Sequence, residues 1–309
     1  MLSIEKGNPI AKISGSKTFP AVKRKEGGVK KVCHKFLGLI SPDDLRDNDK
    51  PGFNVNPYEL IDYNELEKEA ASTKPKKVNE LVKERIKSKK KEKGREFILH
   101  DGVLEPTPDT SVERDVIYIS GPAGAGKSTW VASYMRNYEA IFPDRNIYVF
   151  SLINDDPAFK GINNLVQIPL DNEYLDEVRE GDGIEMEDLR DSMVVFDDVD
   201  SIGNKTMKEH IVSLRDNCLQ IGRHYHTTTL CTTHQLCNYN NTKILIMESN
   251  KVVIFPTSGS VYHITRFLKA YCGLQKDKIG KVLNVPSRWA MIHKAYPNYI
   301  LHSTGAFIL

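Results

Sequence analysis

The spacing of apolar and polar residues divides the chain near residue 100. Residues 1–75 carry short apolar islands, such as residues 32–40, in text rich in Gly, Pro, Lys and Asp. That pattern predicts loops with a few short elements, in part disordered. Helical spacing starts near Tyr58 and sharpens at Val78, where Val78, Leu81, Val82 and Ile86 make a narrow apolar stripe. From about Glu96 the text changes. Residues 116–120 (VIYIS) predict a short buried strand, followed by a glycine loop and a helical run to about Tyr138. Further strands are predicted over 146–150, 165–168, 193–196, 227–233 and 252–255, and a helix over 206–221. The tail, residues 289–309, alternates like two or three short strands. Strands alternating with helices in this way predict an α/β fold with a mostly parallel sheet covered on both faces. The expected division is a basic, partly disordered extension over 1–100 and a catalytic domain over 101–309.

Composition narrows the class. The chain has 309 residues, 40% of them hydrophobic, with a formal net charge of +2. That suits a globular chain with a sizeable core and excludes a small stapled domain. No apolar run reaches the ~18 residues that span a bilayer, and the first 30 residues are lysine-studded, without a signal core. An intracellular, non-secreted protein is expected. The five cysteines lack a Cys-x-x-Cys pair, which fits a reducing compartment. Residues 1–110 hold 23 basic and 18 acidic residues, whereas the remainder is net acidic. The basic excess peaks over residues 74–95, with 11 basic and 3 acidic residues. Such a run suits sequence-independent contact with DNA phosphates, a targeting signal, an acidic membrane surface or a solvated helix.

One motif carries chemistry. Gly121, Pro122, Ala123, Gly124, Ala125, Gly126, Lys127 and Ser128 fit G-x-x-x-x-G-K-[ST], the P-loop, between a predicted strand and a predicted helix. Glycines let successive backbone N–H groups turn toward phosphate oxygens, and the following helix presents its positive end to them. Lys127 is expected at the β- and γ-phosphates of ATP, Ser128 on Mg2+, and Thr129 beside the α-phosphate. About 70 residues later the apolar strand Val194-Val195-Phe196 delivers Asp197 and Asp198. Asp197 is the expected second Mg2+ holder, and Asp198 the expected general base for the attacking water. Hydrolytic motors mostly place Glu at that second position, one methylene longer. A third strand ends in Thr233-His234-Gln235. The RecA-like class sets a polar residue here, between the two nucleotide strands, to sense the γ-phosphate. Gln235 is the expected sensor, with His234 and Thr233 as alternatives. No Asn-Lys-x-Asp guanine reader is present, since Asn250-Lys251-Val252 lacks the Asp.

Taken together, residues 119–129, Val195 to Asp200, Gly222-Arg223-His224 and Thr233-His234-Gln235 resemble the poxvirus-type DNA-packaging ATPases of large double-stranded DNA viruses, within the FtsK–HerA superfamily. The resemblance covers about residues 114–309, with Phe255-Pro256 and Ser287-Arg288-Trp289 as weaker matches. It implies a RecA-like P-loop core and ATP-driven translocation of double-stranded viral DNA into a capsid by a homo-oligomeric ring. Capsid or internal membrane proteins follow as partners, and host cytoplasm or a viral factory as location. In such rings an arginine from one subunit reaches the neighbour's ATP. Arg223 matches the family's Gly-Arg-His, with Arg215 in reserve. The competing functions are a P-loop kinase acting on a small molecule or nucleoside, and a nucleotide-gated assembly scaffold.

Two other groupings are weaker. His224, His226, Cys231, His234 and Cys237 lie close together but fit no common zinc spacing. Trp289, Tyr296 and Tyr299 read as sheet packing rather than as a platform for bases.

Overall fold

The computed structural model describes residues 1–4, 6–26, 29–40 and 95–309. The stripe expected over Val78, Leu81, Val82 and Ile86 lies outside these residues, as does the basic run 74–95 apart from Arg95.

The N-terminal strands are β1 (Leu2–Ser3), β2 (Asn8–Ser14), β3 (Val22–Glu26), β4 (Val29–Cys33) and β5 (Lys35–Leu39). After the undescribed stretch come β6 (Glu96–Ile98), β7 (Val103–Pro106) and β8 (Val116–Ser120). Helix α1 (Lys127–Ile141) follows, then β9 (Ile147–Ser151), β10 (Leu165–Pro169) and α2 (Asn172–Glu180). Next are β11 (Met193–Asp197), α3 (Lys205–Gln220), β12 (Thr228–Thr233), α4 (Tyr239–Glu248) and β13 (Lys251–Ile254). The chain closes with α5 (Val261–Ala270), α6 (Lys276–Leu283), β14 (Ala290–His293), β15 (Tyr299–His302) and β16 (Gly305–Ile308).

Ten strands form the central sheet, in the order β10-β9-β11-β12-β8-β13-β14-β15-β16-β6. The first six run parallel, and the last four continue the sheet as an antiparallel wing. This is the α/β architecture with a mostly parallel central sheet expected from the sequence. The acidic strand β11 is separated from the glycine-loop strand β8 by β12, so three strand ends converge on one place. The tail resolves the expected two or three strands into three.

Period-two alternation splits the core into two apolar layers. Val116, Tyr118, Val194, Phe196 and Cys231 face the layer covered by α2, α3, α4, α5 and α6. Ile117, Ile119, Val149, Val195 and Leu230 face the other, covered by α1 and the N-terminal strands. Helix α1 buries Trp130, Val131, Tyr134, Met135 and Tyr138, a helical stripe against the sheet. Helix α3 starts where the Asn204 side chain accepts from Met207 N–H, and Met207, Ile211, Leu214 and Cys218 repeat down its inner face.

The loop-rich text expected over residues 1–75 is different where it is described. Strands β1, β5, β2 and β7 make a second, antiparallel sheet, and Leu2, Ile10, Ala11, Ile13 and Leu37 enter the same apolar layer as α1. The expected boundary at residue 100 falls between β6, the edge of the central sheet, and β7, part of the small one. A register shift between Pro9 and Ala11 explains why the pattern hid β2. It buries Ile10 and Ala11 in succession, so period-two alternation fails there.

Candidate active site

The glycine loop leaves β8 at Gly121, whose N–H donates to Thr233 O across to β12 (3.2 Å). Gly126, the residue capping α1, sits at φ 110, a conformation closed to side-chain-bearing residues. Gly121 has a different reason. A Cβ there would meet the Phe255 ring at 2.6 Å, so the loop packs down on that ring only as glycine. Of the expected phosphate-loop residues, Ala123, Gly124 and Thr129 are exposed, Pro122, Gly126 and Ser128 are half-buried, and Gly121, Ala125 and Lys127 are buried.

Lys127 Nζ is buried among three partners. It donates to Gly121 O (3.1 Å) and pairs with Asp198 Oδ2 (3.3 Å) and His234 Nδ1 (3.2 Å). His234 Nε2 in turn lies 3.0 Å from the same Asp198 oxygen. The start of α1 and the ends of β11 and β12 thus close into a ring of one ammonium, one carboxylate and one imidazole.

Thr232 ties the two aspartates together. Its hydroxyl donates to Asp197 Oδ1 (2.8 Å), lies 3.2 Å from Asp198 Oδ1, and accepts the Asp198 N–H (2.9 Å). Ser151, at the end of β9, donates to Asp197 Oδ2 (3.3 Å). Asp198 adopts φ 46, ψ 35, left-handed backbone that Asp tolerates better than most residues. Burial pushes the Asp197 carboxyl above its ordinary value and the neighbouring Asp198 charge adds to this, while the Thr232 and Ser151 hydroxyls and Lys127 oppose it. Asp197 and the Ser128 hydroxyl are hard oxygen donors of the kind Mg2+ takes. Among the described residues no group of three or more His, Cys, Asp or Glu side chains could hold a metal.

The expected sensor, Gln235, does not join this ring. Tyr118 O–H donates to Gln235 O (2.6 Å) and Leu236 O (3.2 Å), pinning the backbone where it leaves β12. The Gln235 side chain accepts from Asn238 at the exposed surface (2.9 Å). His234, an alternative in the sequence, occupies the place, while the Thr233 hydroxyl turns to Gln235 O and Tyr118.

Arg223 stands apart. It is 67% exposed on a turn before β12, paired with Glu113 ahead of β8 at 3.5 Å. That is the opposite end of the parallel strands from Lys127. Gly222 beside it makes room for Arg114, whose guanidinium donates to Cys218 O and Leu219 O at the end of α3. Arg215, the reserve, is buried and consumed by Asp200 (3.3 Å) and Asp216 (2.9 Å).

Two cavities flank the ring. A cleft of about 500 Å³ is lined by Thr129, Trp130, Lys12, Glu105, Arg288 and Trp289. Arg288 closes it over the loop, donating to Gly124 O (3.3 Å) and Ala125 O (3.4 Å). On the other side a polar notch of about 240 Å³ is lined by Asp198, Asp200, Ser201, His234 and Asn238.

In comparisons with known proteins, 214 residues of the chain are 37% identical to the uncharacterised protein V3 of Sputnik virophage, covering 68% of this chain and 83% of that protein. The chain belongs to the family of that virophage protein. No profile of a known protein family matches it. Similar solved structures include the genome packaging NTPase B204 of Sulfolobus turreted icosahedral virus 2 in complex with AMPPCP. It is 10% identical over 62% of this chain and 98% of that one, with a TM-score of 0.41. Another is the cytoplasmic domain of the type VII secretion ATPase EccC of Thermomonospora curvata, 11% identical over 81% of this chain and 30% of that one, with a TM-score of 0.44. At these scores the likeness adds nothing to what the strand order shows.

Three contributors carried no sequence signal of their own. Thr232 is one of five threonines in 227–233, and only the pairing of Phe196 with Cys231 sets it opposite Asp197. Ser151 reaches Asp197 because β9 and β11 pair there in register. Lys12 enters the cleft from a segment expected to be loop. The weaker groupings divide: His224, His226 and Tyr296 are exposed, Tyr296 against the sheet packing expected of it. Cys231 is core, Tyr299 stacks on His293 at 4.6 Å, and Trp289 meets Trp130 edge-on at 6.1 Å. No helix among the described residues is long and apolar enough to cross a membrane.

Proposed function

We propose that this chain is an ATP-driven motor that moves double-stranded viral DNA into a capsid. The convergence of Lys127, where the glycine loop enters α1, with Asp198 and His234, at the ends of β11 and β12, is the observation that carries the hydrolytic part. The loop's N–H groups and the start of α1 bind the phosphates, and Lys127 exchanges its present partners for the β- and γ-phosphate oxygens. Ser128 and Asp197 would hold Mg2+, which would supply positive charge beside the phosphates. Arg288 and Trp289 enclose ribose and base in the cleft beyond Thr129. Asp198 and His234 face the γ-phosphate from the far side, with the polar notch as the path for water.

Arg223 acts in trans. At the far end of the strands it cannot reach its own site, yet it is exposed and loosely paired, as a residue reaching into a neighbour must be. Arg215 is too fully paired for that task. The assembly is therefore a ring or arc in which one subunit completes the next. The DNA-packaging part rests on the resemblance of residues 119–129, 195–200, 222–224 and 233–235 to FtsK–HerA packaging ATPases, and the poxvirus-type kinship rests on the same residues alone. The basic run 74–95 supplies charge for any DNA sequence.

The test is ATP hydrolysis by the purified chain with and without linear double-stranded DNA, at low and raised salt. DNA stimulation that fades with salt is expected. Transfer of phosphate to an added nucleoside without a DNA effect marks a kinase, and ATP binding without turnover marks a scaffold.

A further inference from the structure

The ring around Lys127 fixes the protonation pattern of His234. Nε2 faces a carboxylate oxygen at 3.0 Å, and a carboxylate can only accept, so Nε2 carries a proton. Nδ1 faces the Lys127 ammonium at 3.2 Å, and an ammonium can only donate, so Nδ1 carries a lone pair. The charged groups meeting the imidazole are Asp198 and Lys127, and Asp200 lines the same notch. A second proton would sit on Nδ1 against the ammonium. The imidazole is therefore neutral, with its basic nitrogen aimed at the point the ammonium occupies.

Asp198 is poorly placed to take a proton itself. It is one methylene shorter than the usual glutamate, and its backbone is pinned by the N–H bond to Thr232 and by its left-handed conformation. One oxygen lies beside the Thr232 hydroxyl and the other is held by His234. When Lys127 moves onto phosphate, the Nδ1 lone pair is left without a partner. It then opens on the space between the γ-phosphate and the polar notch.

Building on the proposed hydrolysis, we propose that His234, oriented by Asp198, is the general base. The water oxygen bonds to the γ-phosphorus as the bond from that phosphorus to the β–γ bridging oxygen breaks, its electron pair leaving on ADP. The water's proton passes to His234 Nδ1, and Asp198 stabilises the imidazolium through Nε2–H. The proton then returns to the released phosphate or to solvent. This arranges the logic of an aspartate-supported histidine base on a P-loop scaffold. It also accounts for an aspartate where a glutamate is usual.

The decisive experiment measures steady-state turnover and fluorescent-nucleotide binding for the wild type, His234→Gln and His234→Ala, with and without added imidazole. Glutamine keeps a donor for Asp198 but has no basic nitrogen. The expected result for His234→Gln is a kcat lower by about 10²–10³-fold with nucleotide Kd changed less than about threefold. Imidazole should raise turnover of His234→Ala about tenfold or more and leave Lys127→Ala inactive. A glutamine variant within about threefold of wild-type kcat, or an alanine variant that imidazole does not rescue, overturns the proposal. A wild type that binds ATP without hydrolysing it overturns the proposed function instead. Independently of the variants, long-range ¹⁵N–¹H spectra of the nucleotide-free wild type should show His234 neutral and protonated at Nε2. A proton on Nδ1 overturns the proposal.

Discussion

Replacing Thr232 with valine removes one hydroxyl and almost no volume, so its effect isolates the tie between the two aspartates. The hydroxyl makes a charge-assisted bond to Asp197 at 2.8 Å and accepts the Asp198 N–H at 2.9 Å. Losing the first costs about 2 kcal/mol and leaving the N–H unpaired costs about 1 kcal/mol, so about 3 kcal/mol is expected. For a chain of this size that lowers Tm by about 6 °C. The loss should depend on pH. The Asp197 carboxyl already titrates above its ordinary value because it is buried, and the Thr232 hydroxyl is one of the groups opposing that rise. Without it the carboxylate is dearer to keep at neutral pH, and the penalty falls as acidification neutralises the carboxyl. Scanning calorimetry of nucleotide-free wild type, Thr232→Val and Thr232→Ser at pH 7 and pH 5 reads this directly. Valine should cost most at pH 7 and less at pH 5, with serine near wild type. A valine variant within 1 °C of wild type at pH 7, or one hurt more at pH 5, refutes the reasoning.

Other predictions follow from named contacts. Lys251 pairs at 2.6 Å with Asp115, both almost wholly buried, and Asp115 also receives the Tyr134 hydroxyl at 2.6 Å. Lys251→Met strands that carboxylate and should cost about 3–5 kcal/mol in urea unfolding, with Asp115→Asn in the same chain recovering part of it. Burial holds the His302 imidazole down at about 4 against an unfolded value near 6.5. Its contribution is present above pH 6.5 and is lost as pH falls from 6.5 to 4, up to about 3 kcal/mol. His302→Gln should flatten the stability–pH curve in that window. Arg223→Ala should remove only the hydrolysis that needs assembly, leaving turnover at monomer-favouring dilution equal to wild type. An equal loss at both concentrations contradicts a trans role.

The parallel half of the sheet was legible because its strands are short apolar runs bounded by turn signals. Predicted and observed strands there agree to within a residue or so, as at Val116–Ser120 and Met193–Asp197. The glycine loop was legible because its chemistry constrains every residue. Other parts were not, for physical reasons. The first strands were hidden by the bulge at Pro9 and Ala11 and by cores assembled from separate segments. Helix α4 reads YNNTKILIME, with its apolar residues gathered in its second half rather than along one face. At the end of β12 the side chain that meets Lys127 and Asp198 is His234, one residue before the Gln235 expected there. The direction a side chain takes beyond a strand end depends on Tyr118, more than 100 positions away, holding the next two carbonyls. Lys251 could be read in sequence only as a fragment of a guanine motif, yet its partner is a buried aspartate on the neighbouring strand's approach.

Hydrolysis at the Lys127 site, on the proposed function, moves the chain along duplex DNA. Displacement of a labelled third strand from a linear duplex tests this most directly, because release requires a motor to travel into the triplex. ATP-dependent displacement by the wild type is expected, later for triplexes farther from the end, and none by Lys127→Ala. Brisk ATP hydrolysis with the triplex left intact at every distance would contradict it.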